Sequence, residues 1–231
     1  MREVIIACDF SSESELKEFL SKFTDKKPYL KIGMELFYKT GAYLVKEIVA
    51  QGFKVFLDLK LHDIPNTVYK AMRNLANLGV SITNVHAAGG VEMMKAAKRG
   101  LTEGATGTDI PKLIAVTQLT STDERTLRDE ILIDRPLVDV VRVYAQNAKL
   151  AGLDGIVCSP LEAPIAGDLG LLSVTPGIRF AEDGVGDQKR VTTPAMAKEL
   201  GSSYIVVGRS ITDAANPVEA YNRCVSEFEG E

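Results

Sequence analysis

The sequence predicts an α/β chain that closes into a (β/α)8 barrel, and three observations predict it. Apolar runs of strand length recur at Val4–Asp9, Tyr29–Gly33, Lys54–Lys60, Ser81–His86, Leu113–Thr117, Gly155–Cys158, Leu171–Thr175 and Tyr204–Val207. Segments with helical spacing separate these runs, which calls for parallel strands joined by right-handed crossovers. The length, 231 residues, matches one such barrel, so a single domain over 1–231 is expected. A doubly wound open sheet is the alternative. Its dinucleotide-binding form is unsupported, because Asp9-Phe10-Ser11-Ser12 follows the first strand where Gly-x-Gly-x-x-Gly would stand.

Each element carries its own signal. The first strand is apolar through Cys8 and closes on Asp9. In the second, Leu30 and Ile32 flank Lys31, and alternation sends Lys31 to the opposite side, into the barrel. In the third, Asp58 and Lys60 share one face while Val55, Leu57 and Leu59 share the other. Pro65, Asn66 and Thr67 then open a helix, where Val68, Ala71, Met72, Leu75 and Leu78 recur as one apolar stripe. The fourth strand ends on His86, and Thr117-Gln118-Leu119-Thr120 follows the fifth. After the seventh comes Thr175-Pro176-Gly177-Ile178-Arg179 and an unusually long loop that runs to a helix start at Thr193-Pro194. The eighth leads into Val207-Gly208-Arg209-Ser210.

Composition narrows the function classes. Hydrophobic residues at 45% and charged residues at 25% match a soluble globular protein, and no apolar stretch is long enough to span a bilayer. The opening Met1-Arg2-Glu3-Val4-Ile5-Ile6 lacks the parts of a secretory signal, so a cytoplasmic location is expected. Cys8, Cys158 and Cys224 are odd in number and widely spaced, which suits reduced core residues. A net charge of −4 and the absence of tryptophan argue against a nucleic-acid surface.

In a barrel of this kind the active site lies at the C-terminal ends of the strands, where the charges gather. Lys31, Asp58, Lys60 and Asp63 supply two cations and two anions that can alternate and neutralise one another. A lysine between carboxylates keeps its proton and is a proton donor. That weighs against a Schiff-base lysine. It also weighs against a metal among Asp9, Asp58, Asp63, His62 and His86, which would meet two ammonium groups, so no metal is expected. A structural ion pair is the plain alternative. His62 and His86 are read as supporting, hydrogen-bonded residues, and Asn66 and Thr67 equally suit helix capping.

The last two strand ends point to an anion. Glycines permit the long loop to close, and Arg179, Gln188 and Arg190 offer donors, although a plain surface loop has the same composition. Gly208 lets backbone amides approach a ligand, and Arg209 can bind phosphate through two donors. Many such barrels hold phosphate in the loops after strands seven and eight, so the coincidence of the two motifs favours a phosphorylated ligand.

With Asp58-x-Lys60-x-x-Asp63-Ile64-Pro65-Asn66-Thr67, Thr175-Pro176-Gly177-Ile178-Arg179, Gly186-Asp187-Gln188-Lys189-Arg190 and Val207-Gly208-Arg209-Ser210, the chain resembles the orotidine 5′-phosphate decarboxylase family. The likeness covers nearly the whole chain and includes Ala7-Cys8-Asp9, Leu30-Lys31-Ile32-Gly33 and Leu119-Thr120-Ser121. The strand-three motif is similar to that of phosphosugar decarboxylases and hexulose-phosphate synthases, which use a metal and carry glutamate where this chain has Lys31. The resemblance implies a cofactor-free carboxy-lyase that converts orotidine 5′-monophosphate to uridine 5′-monophosphate, the last step of pyrimidine nucleotide synthesis. It implies that Lys60 stabilises a carbanion at C6 and donates the proton, with Asp58 beside the departing carboxylate and Lys31 holding Asp58 and contacting ribose. It further implies a homodimer in which Asp63 and Thr67 reach the neighbouring site. By the same resemblance Asp9 meets ribose hydroxyls, Thr120 the pyrimidine, and Arg179, Gln188, Gly208 and Arg209 the phosphate. A magnesium-dependent phosphosugar enzyme and a catalytically silent nucleotide-binding barrel are the competing readings. Lys31 counts against the first, and intact Asp58, Lys60 and Asp63 against the second.

Overall fold

Eight parallel strands, hydrogen-bonded in sequence order and closed from the eighth back to the first, form the barrel that the periodicity predicts. The computed structural model describes residues 2–107, 109–183 and 192–230. The order is β1 (Glu3–Ala7), α1 (Glu13–Ser21), β2 (Tyr29–Gly33), α2 (Met34–Ala50), β3 (Val55–Leu61), α3 (Pro65–Leu75), β4 (Ile82–His86), α4 (Gly90–Gly104) and β5 (Lys112–Val116). It continues with α5 (Leu137–Leu150), β6 (Gly155–Val157), α6 (Ala163–Asp168), β7 (Leu172–Ile178), α7 (Pro194–Glu199), β8 (Tyr204–Val207), α8 (Arg209–Thr212) and α9 (Pro217–Glu229).

Strand alternation sorts the apolar residues into two cores. Leu30, Ile32, Val55, Leu57 and Leu59 face outward and pack against helix residues such as Val68, Met72 and Leu75. Ile5, Tyr29, Phe56, Ile82, Ile114, Val174 and Tyr204 point inward and fill the barrel. Burying each large side chain of this kind contributes about 1.5–3 kcal/mol, enough to make the register costly to shift. Lys31 and Asp58 therefore share the inward parity of Tyr29 and Phe56.

Two details depart from the spacing. Leu78 is buried but lies beyond the end of α3 at Leu75, because Gly79, with φ of +75°, turns the chain toward β4. Strand β7 runs through Pro176 and Gly177 to Ile178, with its register to β8 shifted between Thr175 and Ile178. Proline has no N–H to give the ladder, and Gly177, at φ of +82°, takes the bend.

The base of the long loop is held beyond that bend. Arg179 N–H donates to the Thr192 carbonyl at 3.1 Å, and Thr192 N–H to the Gly177 carbonyl at 3.3 Å. Gln188 and Arg190 lie outside the described residues. All three cysteines are free and buried. Burial pushes the Cys8 thiol up to about 12, against the opposing pull of Lys31. Among the described residues no helix is long and apolar enough to cross a membrane.

Candidate active site

The polar strand ends that the sequence marks converge at one mouth of the barrel. Lys31 Nζ lies 2.8 Å from Asp9 Oδ1 and 3.6 Å from Asp58 Oδ2, and Lys60 Nζ lies 2.7 Å from Asp58 Oδ1. Within the chain the alternating array is thus Asp9, Lys31, Asp58, Lys60. The place given to Asp63 in the sequence reading is taken by Asp9, because β3 ends at Leu61 and Asp63 falls beyond it.

Burial governs the charge states. The Asp58 side chain is 10% exposed and that of Lys31 12%. Burial pushes the Asp58 carboxyl up, but Lys31 and Lys60, with the hydrogen bonds from Lys60 and Asn84, outweigh it and hold the group below the usual carboxylate range. For Lys31, burial pushes down, while Asp9 and Asp58 outweigh it and keep the ammonium charged above the usual lysine range. His86, at the end of β4, is held below the usual histidine range by burial and by His62 and Lys60; its ring lies 5.7 Å from that of His62.

The backbone at Lys60 is unusual. Its φ is +52°, a region that costs a residue with a side chain roughly 1–2 kcal/mol. The register between β3 and β4 shifts between Leu57 and Leu61, so the regular ladder is broken at this point. Asn84 of β4 repairs it: its Oδ1 accepts from Lys60 N–H at 2.8 Å, and its Nδ2 donates to Asp58 Oδ1 at 2.7 Å.

Two adjoining cavities open on the array. The inner one, about 270 Å³, is lined by Lys31, Asp58 and Lys60, by the apolar Val116, Val157, Val174, Pro176 and Val206, and by Gln118, Leu119, Thr120 and Ser121. The outer one, about 530 Å³, shares Lys31, Pro176 and Val206 with it and adds Asp9, Arg179, Gly208 and Arg209. A Cβ on Gly208 would meet only the Ala7 Cβ, at 3.7 Å, so no neighbouring side chain excludes one. The space before that residue belongs to the cavity. Ser210 Oγ donates to Asp183, whose carboxylate also accepts from Phe180 N–H, so the loop after β7 is tied to the turn after β8. One cleft thus runs from an end that holds Asp58 and Lys60 to an end that carries Arg179 and Arg209 beside Asp9 and Asp213, the shape of a site for an elongated ligand with an anionic group at one end. Among the described residues no group of three or more His, Cys, Asp or Glu is placed to hold a metal ion.

A family model described as "Orotidine 5′-phosphate decarboxylase / HUMPS family" matches residues 2–224. The chain belongs to this family. Orotidine 5′-phosphate decarboxylase of Bacillus cereus (strain Q1) is 53% identical over 234 residues, covering 99% of this chain and 98% of that protein. A crystal structure of orotidine 5′-phosphate decarboxylase from Lactobacillus acidophilus superposes with a TM-score of 0.89 at 47% identity, covering 99% of each chain. The fold alone is shared with orotidine 5′-monophosphate decarboxylase of Methanocaldococcus jannaschii, solved in complex with the inhibitor BMP, at a TM-score of 0.76, 22% identity and 97% of each chain.

Against this orotidine 5′-phosphate decarboxylase frame, two of the expected residues stand apart from their own cleft. Asp63 and Thr67 are exposed, and Asp63 takes part in no ion pair among the described residues. Its carboxylate accepts from the Ile64 N–H instead, at 2.6 Å. Capping does not account for Asn66 and Thr67: the cap position is Ile64, and they occupy the first turn behind Pro65. Two residues of this candidate site are not marked by the sequence. Asn84 alternates with Ile82 and His86 on one face of β4, a parity that marks it as inward. Gly33 ends β2, and a Cβ there would stand 3.2 Å from both Asp9 Oδ1 and Lys31 Nζ, so a side chain at this position would crowd the ion pair.

Proposed function

We propose that this chain decarboxylates orotidine 5′-monophosphate to uridine 5′-monophosphate and carbon dioxide, with Lys60 as proton donor. The observation that carries this reading is the Asp58 carboxylate set between two ammonium groups, 2.7 Å from Lys60 and 3.6 Å from Lys31, at the inner end of the cleft. Family membership and the relatives named for this activity support it.

The chemistry follows from the array. The bond from C6 to the carboxylate breaks, carbon dioxide leaves, and the electron pair stays on C6 in the plane of the ring. Lys60 ammonium stabilises that developing charge and then gives its proton to C6, becoming an amine that solvent reprotonates. Asp58 faces the departing carboxylate and holds Lys60 in line. Lys31 fixes Asp58 and meets ribose, with Asp9 on the ribose hydroxyls and Thr120 near the pyrimidine. Arg179, Gly208 and Arg209 take the phosphate in the outer cavity, with Gln188 of the long loop. Phosphate binding far from C6 supplies energy for excluding water from the charged end. Asp63 and Thr67, exposed beside an Ile64 that is 66% exposed, serve the neighbouring site of a homodimer. The whole of 1–231 acts as one domain and needs no cofactor.

The test is turnover of orotidine 5′-monophosphate by chelator-treated protein, with Lys60→Ala and Arg209→Ala alongside. Lys60→Ala is expected to lose turnover while still binding uridine 5′-monophosphate. Arg209→Ala is expected to weaken phosphorylated ligands by one to two orders of magnitude, about 1.5–3 kcal/mol for hydrogen bonds to a charged group, and to spare the nucleoside. A folded, chelated wild type without turnover overturns the reading.

A further inference from the structure

We infer that Asn84 is a positioning residue for this reaction, one that fixes the proton donor by holding the Lys60 backbone and the Asp58 carboxylate with a single carboxamide. The inference rests on the assignment of Lys60 above. Asn84 is fully buried on β4. Its Oδ1 accepts from Lys60 N–H at 2.8 Å, and its Nδ2 donates to the Asp58 oxygen that also receives Lys60 Nζ at 2.7 Å. The two ends of one rigid planar group therefore grip both ends of the same residue, its backbone directly and its ammonium through Asp58.

The grip is applied where the chain is least able to hold itself. Lys60 has φ of +52°, and the β3–β4 ladder loses register between Leu57 and Leu61, so Asn84 stands in for the strand as partner of the Lys60 N–H. Removing it leaves a partly buried donor without its partner and lets the Lys60 backbone relax toward negative φ, which swings the side chain away from the cleft. Removing only its N–H frees Asp58 to rotate, and the ammonium follows its partner. Proton transfer and charge stabilisation at one atom tolerate little displacement, and a misplacement of about 1 Å costs about 100-fold. The amide suits both tasks, because it pairs an acceptor with a donor in one rigid plane and adds no charge to a cluster of Asp9, Lys31, Asp58, Lys60, His62 and His86.

Asn84→Asp separates positioning from packing. It keeps the shape and the acceptor for Lys60 N–H but exchanges the donor for an oxygen. When ionised, that oxygen repels Asp58; when protonated, it donates to Asp58 as the amide does. Two carboxyls at this distance cannot both ionise easily, so the pair titrates at a raised pKa. Turnover of Asn84→Asp is therefore expected to rise as pH falls through that pKa, a limb absent from the wild-type profile. Asn84→Ala is expected to lose about 100-fold in kcat with uridine 5′-monophosphate affinity held within about threefold.

The experiment is kcat and KM against pH for wild type, Asn84→Asp, Asn84→Ala and Lys60→Ala, with product binding and thermal unfolding for each. The inverted acid limb together with a loss confined to kcat supports the proposal. Wild-type kcat in a folded Asn84→Ala, or a wild-type pH profile in Asn84→Asp, overturns it. If Asn84→Ala does not fold, the profile of Asn84→Asp decides; if neither folds, the residue is structural and the proposal fails. Full turnover by Lys60→Ala would instead remove the assignment of the proton donor, a different failure from any of these.

Discussion

Gly33 leaves its side-chain space to Lys31: a Cβ at that position would stand 3.2 Å from the Lys31 Nζ. The φ of Gly33 is −90°, so what calls for glycine here is the ammonium group rather than the backbone. Gly33→Ala is expected to push Lys31 by a few tenths of an ångström from Asp9 and to lower kcat/KM by about tenfold with little loss of stability. Steady-state kinetics beside a thermal unfolding curve checks this. Kinetics like the wild type's would show that the pair tolerates displacement.

The assignment of Asp63 to the neighbouring site has a direct test in mixed dimers. Lys60→Ala and Asp63→Ala are each expected to be inactive alone. Subunit exchange in an equal mixture builds hybrid dimers in which one of the two sites carries both lesions and the other carries neither. Turnover is then expected to recover to about a quarter of the wild-type value. No recovery after demonstrated exchange would place Asp63 in its own subunit's site.

The charged array also sets the pH dependence of stability. Asp58 binds its proton less readily in the folded chain than in the unfolded one. Its contribution is therefore present above the ordinary carboxylate value of about 4 and is lost as pH falls through the lower folded value. Lys31 has the opposite sign. Its contribution is complete below the ordinary lysine value of about 10.4 and is lost as pH rises through its raised folded value. Asp58→Ala leaves two lysines beside an empty place, and breaking such a buried pair costs about 3–5 kcal/mol. Thermal unfolding between acid and neutral pH is expected to show a weaker acid dependence in Asp58→Ala than in the wild type. An unchanged acid limb would mean that Asp58 is not held in its charged form.

Gly100 and Gly104 of α4 lie against the backbone of α3, where added Cβ atoms would stand 2.3 Å from the Tyr69 carbonyl oxygen and 2.4 Å from that of Arg73. Helix propensity favours Gly→Ala by about 1 kcal/mol, but forcing the helices apart in a packed interface costs about 1–3 kcal/mol. With backbone as the obstacle the second effect is expected to win. Gly100→Ala should lower the midpoint of chemical denaturation, and a raised midpoint would show that α3 moves freely.

The barrel and its inward-facing charges were legible because period-two alternation and recurrent apolar runs are properties of neighbouring residues. Lys31 between Leu30 and Ile32 reports its face without any knowledge of β1 or β3. Asp9 is legible as a strand-end residue, but its place as partner of Lys31 is not, because the pairing of β1 with β2 is a tertiary relation. Asn84 is silent in the sequence for the same reason: an amide inside a buried strand carries no chemistry until the neighbouring strand presents a Lys60 N–H that lacks a ladder partner. The extension of β7 through Pro176 was hidden by the proline itself, which reads locally as an end.

By itself, the sequence determined the number and order of the strands, the side on which the charged strand residues emerge, and the arginines and glycines that the last two loops carry. Those depend on local alternation, on turn chemistry and on residue type. Only the tertiary structure decided that Asp9 closes the array on Lys31, that Gly33 makes room for the pair, and that Asn84 clamps a left-handed Lys60 to Asp58. Each of these depends on distances across strands. Closing the barrel sets such distances, and no spacing along the chain encodes them.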